Sequence, residues 1–258
     1  MYKQLLFLFQ FLKYTFKRKN KYSIHSPYFY NWANTILDDN SPYPALTSIQ
    51  KIRQELLRNK KKITVADYGT GKSNKRTIAS IAAHSAKSHK YGALLFKMAA
   101  FHKPHNMIEL GTSLGLSAAY QAMARTSANF TTLEGCPQTA SIAQQTFTQL
   151  KQNQIKITVG NFNQTFEKVL SEYESVDWIF FDGNHTYKAT IAYFTKALPY
   201  IHQNTIFIFD DINWSKEMQQ AWLEIKGNKH VTSTIDIFTM GIVFFDAGFS
   251  KQHFTLKY

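Results

Sequence analysis

Cysteine is nearly missing from this sequence: Cys136 is the only one among 258 residues. No internal disulfide can form, which fits a reducing, cytoplasmic compartment. Acidic residues are scarce in the front third. Residues 1–90 hold 17 Lys/Arg against 4 Asp/Glu, while residues 91–258 hold 13 of each, so the net charge of +13 belongs wholly to the front. Such a patch attracts nucleic acid, anionic lipid or an acidic substrate, or is simply a solvated basic surface. Long apolar runs are missing too. Leu5–Leu12 falls far short of the about 20 residues that a membrane span needs. It also makes a poor signal peptide. Lys13, Lys17, Arg18, Lys19 and Lys21 follow it, and no small-residue cleavage site appears. Phe7, Phe9, Phe11 and Phe16 beside lysines suit peripheral membrane contact through residues 3–19, with packing on the protein's own core as the alternative. Repeats and low-complexity segments are absent. The 44% hydrophobic content supports a sizeable core.

The hydrophobic pattern changes along the chain. The front third reads as helices over 3–17, from Ser26-Pro27 onward, and over about 45–58. Lys62–Asp67 reads as a short extended run, followed by helices over about 75–86 and 91–102. From residue 105 onward, short apolar runs at 107–110, 129–133, 155–159, 177–181 and 204–209 alternate with helical stretches. Those stretches cover 115–126, 137–152, 163–172, 185–198 and 214–225. Five strand–helix units in a row predict an α/β fold with a parallel sheet. Val231–Phe238 and Gly241–Phe245, joined by a short turn, predict an antiparallel hairpin at the end. Two regions follow: a basic, mainly helical extension over 1–90 that caps the substrate, and a domain over 91–258.

Several strand ends carry chemistry. Met107–Ser117 reads Met-Ile-Glu-Leu-Gly-Thr-Ser-Leu-Gly-Leu-Ser, a strand, a glycine turn and a helix start. Gly111 allows the sharp turn and the close approach of a ligand. Glu134 ends the next strand, 25 residues after Glu109, where an acidic side chain can accept from both ribose hydroxyls. Gly160-Asn161-Phe162 follows the third strand. Asp182 ends the fourth and Asp210-Asp211 the fifth. Three converging carboxylates repel and call for a hard divalent cation such as Mg2+.

In this order, the motifs resemble the class I S-adenosylmethionine-dependent methyltransferases, whose sheet is Rossmann-like, doubly wound and seven-stranded. The spacing Glu-x-Gly-x-x-x-Gly is similar to that family's pattern and unlike the dinucleotide Gly-x-Gly-x-x-Gly. The resemblance implies that Glu109, Gly111, Thr112, Ser113, Gly115 and Ser117 lie along the donor's amino-acid end. It implies further that Glu134 and Gly135 hold the ribose, that Gly160, Asn161 and Phe162 lie near the adenine, and that Asp182 also borders the donor. The carboxylate pattern resembles the metal-dependent O-methyltransferases. His185 stands three residues after Asp182, as in the macrolide-sugar and cephalosporin-biosynthesis type; the catechol type carries lysine there. The implied metal ligands are Asp182, Asp210 and Asp211, with His185 as the base that takes a proton from a small molecule's hydroxyl. The plain alternative makes the aspartates helix caps and His185 a surface residue.

Other readings compete. Ala66–Ser73 imitates a phosphate-binding loop through Lys72 and Ser73, and serves equally as a lid or substrate-side loop. The basic front third suits a nucleic-acid ribose methyltransferase. Base methylation fits poorly, because Asp182-Gly-Asn-His stands where amine-modifying enzymes carry Asn/Asp-Pro-Pro-Tyr, and Cys136 is misplaced for a nucleophile. Tyr28, Phe29, Tyr30 and Trp32 beside His25 either line an acceptor pocket or form helix core. The extension also offers a surface for a homo-oligomer.

Overall fold

The computed structural model describes residues 2–67 and 72–258. Helix α1 (Tyr2–Lys17) opens the chain. Helix α2 (Pro27–Ile36) and helix α3 (Pro44–Arg58) both start on proline, whose missing N–H falls where a helix has no internal partner anyway. Strands β1 (Lys62–Asp67) and β2 (Lys72–Thr77) pair antiparallel, with Lys62 opposite Thr77 and Asp67 opposite Lys72. The helix expected from about residue 75 therefore starts later, as α4 (Ile78–His84). Lys72–Thr77 has almost no apolar residue to set a period, so its pairing with β1 decides its conformation. Thr77 then caps α4 by accepting the Ser80 N–H. Helix α5 (His89–His102) ends on Lys103 in left-handed backbone.

Regular alternation follows: β3 (Asn106–Leu110), α6 (Leu116–Ala124), β4 (Asn129–Glu134), α7 (Pro137–Gln149), β5 (Ile155–Val159) and α8 (Phe162–Leu170). It continues with β6 (Trp178–Phe181), α9 (Tyr187–Ala197), β7 (Ile206–Asp210), α10 (Lys216–Gly227), β8 (Ser233–Asp236), β9 (Met240–Phe244) and β10 (Gln252–Thr255). The fold class is α/β, with a mostly parallel sheet closed by an antiparallel hairpin.

The chain divides into two compact units, residues 39–172 and residues 1–38 with 173–258. In the first, β4 pairs in parallel with β3 on one side and β5 on the other. Apolar residues of α3, α4 and α6, among them Ile49, Ile52, Ile81 and Leu116, share one core with Ile63 of β1.

In the second unit β6 and β7 are parallel, and the hairpin β8–β9 joins β7 antiparallel through β9. Every residue of β6, β7 and β9 is buried, so these strands are covered on both faces. One strand goes beyond the seven expected. β10 lies parallel to β8, with Gln252 beside Ser233, and its polar, four-residue sequence gave no strand signal. The aromatic stretch of α2 is core: Phe29 and Trp32 are fully buried, and Phe29 meets Phe244, Phe249 and Phe254 at about 5 Å. Phe29 and Trp32 thus pack instead of lining an open pocket.

Candidate active site

Three strand ends of unit 39–172 meet at Glu134. Leu133 O accepts the N–H of Gly111 and of Thr112, which fastens the turn after β3 to β4. Glu134 Oε2 accepts the Ser113 N–H at 2.7 Å, and Oε1 accepts the Cys136 N–H at 2.8 Å. The Glu134 main-chain oxygen accepts the Gly160 N–H at 2.9 Å. One residue thus ties together the loops that follow β3, β4 and β5. Burial pushes its carboxyl up from the ordinary range, against the amide bonds that favour the charged form.

The turn itself needs unusual backbone. Gly111 has φ 107°, Ser113 φ 48° and Gly115 φ 82°. Gly115 heads α6, and a Cβ there would sit 2.7 Å from the Phe147 ring. Thr112, Gly115 and Ser117 are buried, whereas Gly111, Ser113, Glu134, Gly135, Gly160, Asn161 and Phe162 are partly exposed. The second set alone offers atoms to a ligand without rearrangement. Asn161 caps α8 by accepting the Asn163 N–H.

Glu109 lies wholly inside. Thr132 Oγ1 donates to its Oε2 at 2.6 Å, and Gln121 Nε2 donates to its Oε1 at 3.0 Å. Thr132 also shares a hydrogen bond with Thr112 at 2.7 Å, so the carboxylate is linked to the turn through two hydroxyls. Desolvation outweighs these hydrogen bonds and pushes the Glu109 carboxyl up to about 7. Thr132 and Gln121 escaped the sequence reading. Both left a signal: Thr132 is the strand partner of Glu109, and Gln121 is a lone amide in the small apolar helix Leu-Ser-Ala-Ala-Tyr-Gln-Ala-Met-Ala.

The second unit holds the other cluster. β6 and β7 run parallel with Phe181 beside Phe209, their rings stacked 4.4 Å apart. Asp182 and Asp210 therefore leave adjacent strands at one level. Asp182, His185 and Asp210 each offer a ligand atom, and these atoms lie within 4.8 Å of one another. His185 Nε2 is 3.6 Å from Asp182 Oδ1 and 4.0 Å from Asp211 Oδ2. Asp211 takes left-handed backbone, φ 54°, which aspartate tolerates better than most residues. The tight group thus contains His185 where the sequence reading had Asp211. Tyr187 is engaged elsewhere, with its hydroxyl on Glu224 and its N–H on Glu217.

The phosphate-loop reading fails on its flank. Tyr68–Gly71 lie outside the described residues, as does any role of that stretch as a lid. Lys72 nevertheless opens a strand, and such a loop requires a helix there.

A family model for a methyltransferase domain matches residues 108–212. That match covers 105 of the 258 residues, so this stretch is similar to a methyltransferase domain. The match runs from β3 to just past β7 and so includes both clusters. No curated protein matches the sequence significantly. Solved structures share its fold. An S-adenosylhomocysteine-bound methyltransferase of Podospora anserina, PaMTH1, aligns with TM-score 0.61 at 13% identity, over 84% of this chain and 94% of that one. An O-methyltransferase of Bacillus cereus, also in complex with S-adenosylhomocysteine, gives 0.58 at 18%, over 83% and 96%. TomG of Streptomyces achromogenes, an O-methyltransferase in complex with S-adenosylmethionine and involved in tomaymycin synthesis, gives 0.58 at 15%, over 80% and 92%. The stretch that resembles a methyltransferase domain thus contains a Glu134-centred turn set and a carboxylate–imidazole set.

Proposed function

We propose that this protein is an S-adenosylmethionine-dependent O-methyltransferase acting on a hydroxyl of a small molecule with the help of a divalent metal. The observation that carries the proposal is the convergence of Asp182, His185 and Asp210 within 4.8 Å. The domain match and the neighbours that bind the methyl donor or its product support the donor's identity.

The residues suit both groups. A carboxylate accepts at about four lone-pair positions. Glu134 accepts the Ser113 and Cys136 amides and is still partly exposed, so its carboxylate can also face the ribose hydroxyls. The partly exposed Gly111 and Ser113 serve the donor's amino-acid end, and Gly160–Phe162 the adenine. Glu109 positions that turn from below through Thr132 and Thr112. Two aspartates and an imidazole in one small group are donors for a hard or borderline divalent ion such as Mg2+. Asp182 and Asp210 would hold it, with His185 at its edge and Asp211 beyond that histidine. A metal there lowers the pKa of an acceptor hydroxyl.

His185 takes the hydroxyl proton at Nε2. The resulting imidazolium is stabilised by Asp182 at 3.6 Å and Asp211 at 4.0 Å. Bound S-adenosylmethionine would supply its sulfonium methyl to the deprotonated oxygen, the new C–O bond forming as the C–S bond breaks and S-adenosylhomocysteine is released. Calorimetry with S-adenosylhomocysteine, with and without Mg2+, tests the proposal together with transfer of a labelled methyl group to hydroxylated acceptors. Micromolar binding is expected. Asp182→Asn should abolish Mg2+ binding while donor affinity persists. No binding of S-adenosylhomocysteine by folded protein overturns the enzyme, and unchanged Mg2+ binding in Asp182→Asn overturns the metal site.

A further inference from the structure

Helix α1 is apolar on two opposite sides, and the protein packs aromatic rings against only one of them, where Tyr14 is buried and Phe11 remains 41% exposed. Phe7, Phe11 and Tyr14 lie toward one side of the helix and close around Phe238, with ring centroids 5.0–5.2 Å apart. The Tyr14 hydroxyl fixes that side by donating to Leu256 O. At 100° per residue, Leu8, Phe9, Leu12 and Phe16 fall on the other side, in one sector about a quarter-turn wide. They are 53, 53, 47 and 88% exposed. Trp214, itself 54% exposed, stands beside the helix with its ring 6.4 Å from that of Phe7. Scattered exposed apolar residues are ordinary, but four large ones along one helical stripe form a patch.

Charge identifies what covers it. Lys13 and Lys17 edge the stripe, and Lys13 Nζ already lies 4.4 Å above the Phe9 ring. Arg18, Lys19 and Lys21 follow. Residues 1–37 contain no Asp or Glu at all. An apolar stripe bordered by lysines and free of acid matches the boundary between lipid headgroups and acyl chains in an anionic leaflet. The helix has 16 residues, roughly 24 Å of length, and no helix among the described residues is long and apolar enough to cross a membrane. It would therefore lie in the plane of the surface.

We propose that α1 is an interfacial anchor that docks this protein on anionic lipid bilayers through Leu8, Phe9, Leu12 and Phe16, with Lys13 and Lys17 on the headgroups. Phe9 and Phe16 would insert with the leucines at the edge of the acyl chains, and the lysine stems reach outward past them to the headgroups.

Flotation of the full chain with phosphatidylglycerol-containing and pure phosphatidylcholine vesicles tests the anchor. The protein should float with the anionic vesicles and stay behind with the neutral ones. Leu12→Ser with Phe16→Ser should weaken partitioning roughly thirtyfold or more. Lys13→Gln and Lys17→Gln should each weaken it about fivefold, and added salt should mimic them. These positions are solvent-facing, so an unchanged thermal midpoint and unchanged S-adenosylhomocysteine binding will separate lost anchoring from lost folding. Folded protein that ignores anionic vesicles overturns the proposal, as does binding indifferent to lipid charge. A dimer in lipid-free solution that Phe16→Ser dissociates overturns it too, because the stripe would then belong to a second copy.

Discussion

At Glu134 one carboxylate has two tasks, holding the Ser113 turn and accepting from the donor's ribose. The two separate by substitution. Glu134→Gln keeps an oxygen for one amide but loses charge and lone pairs, so affinity for S-adenosylhomocysteine should fall roughly ten- to hundredfold, as expected for a charge-assisted hydrogen bond of about 1.5–3 kcal/mol. Glu134→Ala should lose more, since it leaves the Ser113 and Cys136 amides without their acceptor. Calorimetry reads both, and wild-type affinity in the glutamine variant would remove Glu134 from the donor site. His185 calls for a different measurement. As the base it supports only the transfer step, so His185→Asn should cut the single-turnover rate about 10²–10⁴-fold while Mg2+ affinity holds. A parallel loss of Mg2+ affinity would make His185 a ligand instead, as its place beside Asp182 and Asp210 also allows.

Among the elements, the turn into α6 is the most constrained. Gly115 combines φ 82° with a position where a Cβ would press to 2.7 Å from Phe147. Gly115→Ala carries a left-handed penalty of about 1–2 kcal/mol and an overpacking cost of about 1–3 kcal/mol. Urea unfolding should therefore show a loss of about 2–5 kcal/mol, and a loss under 1 kcal/mol would mean the turn relaxes freely. That turn was legible in the sequence because glycine at both Gly111 and Gly115, between an apolar run and a small-residue helix, has few structural uses. The strands from β3 to β9 were legible because apolar runs mark them, most plainly in β6, β7 and β9, where both faces are buried. β2 and β10 were not. Their residues are polar, and partners distant in sequence or across a turn supply the order: β1 for the one, β8 for the other. In the candidate site the acidic strand ends were visible because parallel strands bring such ends to one edge. The interior links were hidden. Whether Glu109 faces ligand or core depends on Thr132 and Gln121, which only the register of β3 with β4 and the turn of α6 bring to it.

Across the whole molecule, the basic surplus of the front third and the burial of a few acids act on different observables. Surface lysines govern association and its salt dependence. Glu109 governs stability against pH. In the unfolded chain its carboxyl titrates near 4.5, and in the folded protein near 7. Below pH 4.5 it is protonated in both states and contributes no difference. Between 4.5 and 7 the unfolded chain releases the proton while the folded protein keeps it, so folding loses stability as pH rises. Above about 7 both states are charged and the penalty is complete, at about 3 kcal/mol. Glu109→Gln removes the ionisation and keeps an acceptor for Gln121, while the Thr132 hydroxyl can turn to meet the new amide. Measured by urea unfolding at a series of pH values, the variant's stability relative to wild type should therefore climb from pH 4.5 to 7 and then level off. A constant difference across that window would mean that the folded protein ionises Glu109 as readily as the unfolded chain. The hydrogen bonds from Thr132 and Gln121 would then fully offset the desolvation of a completely buried carboxylate.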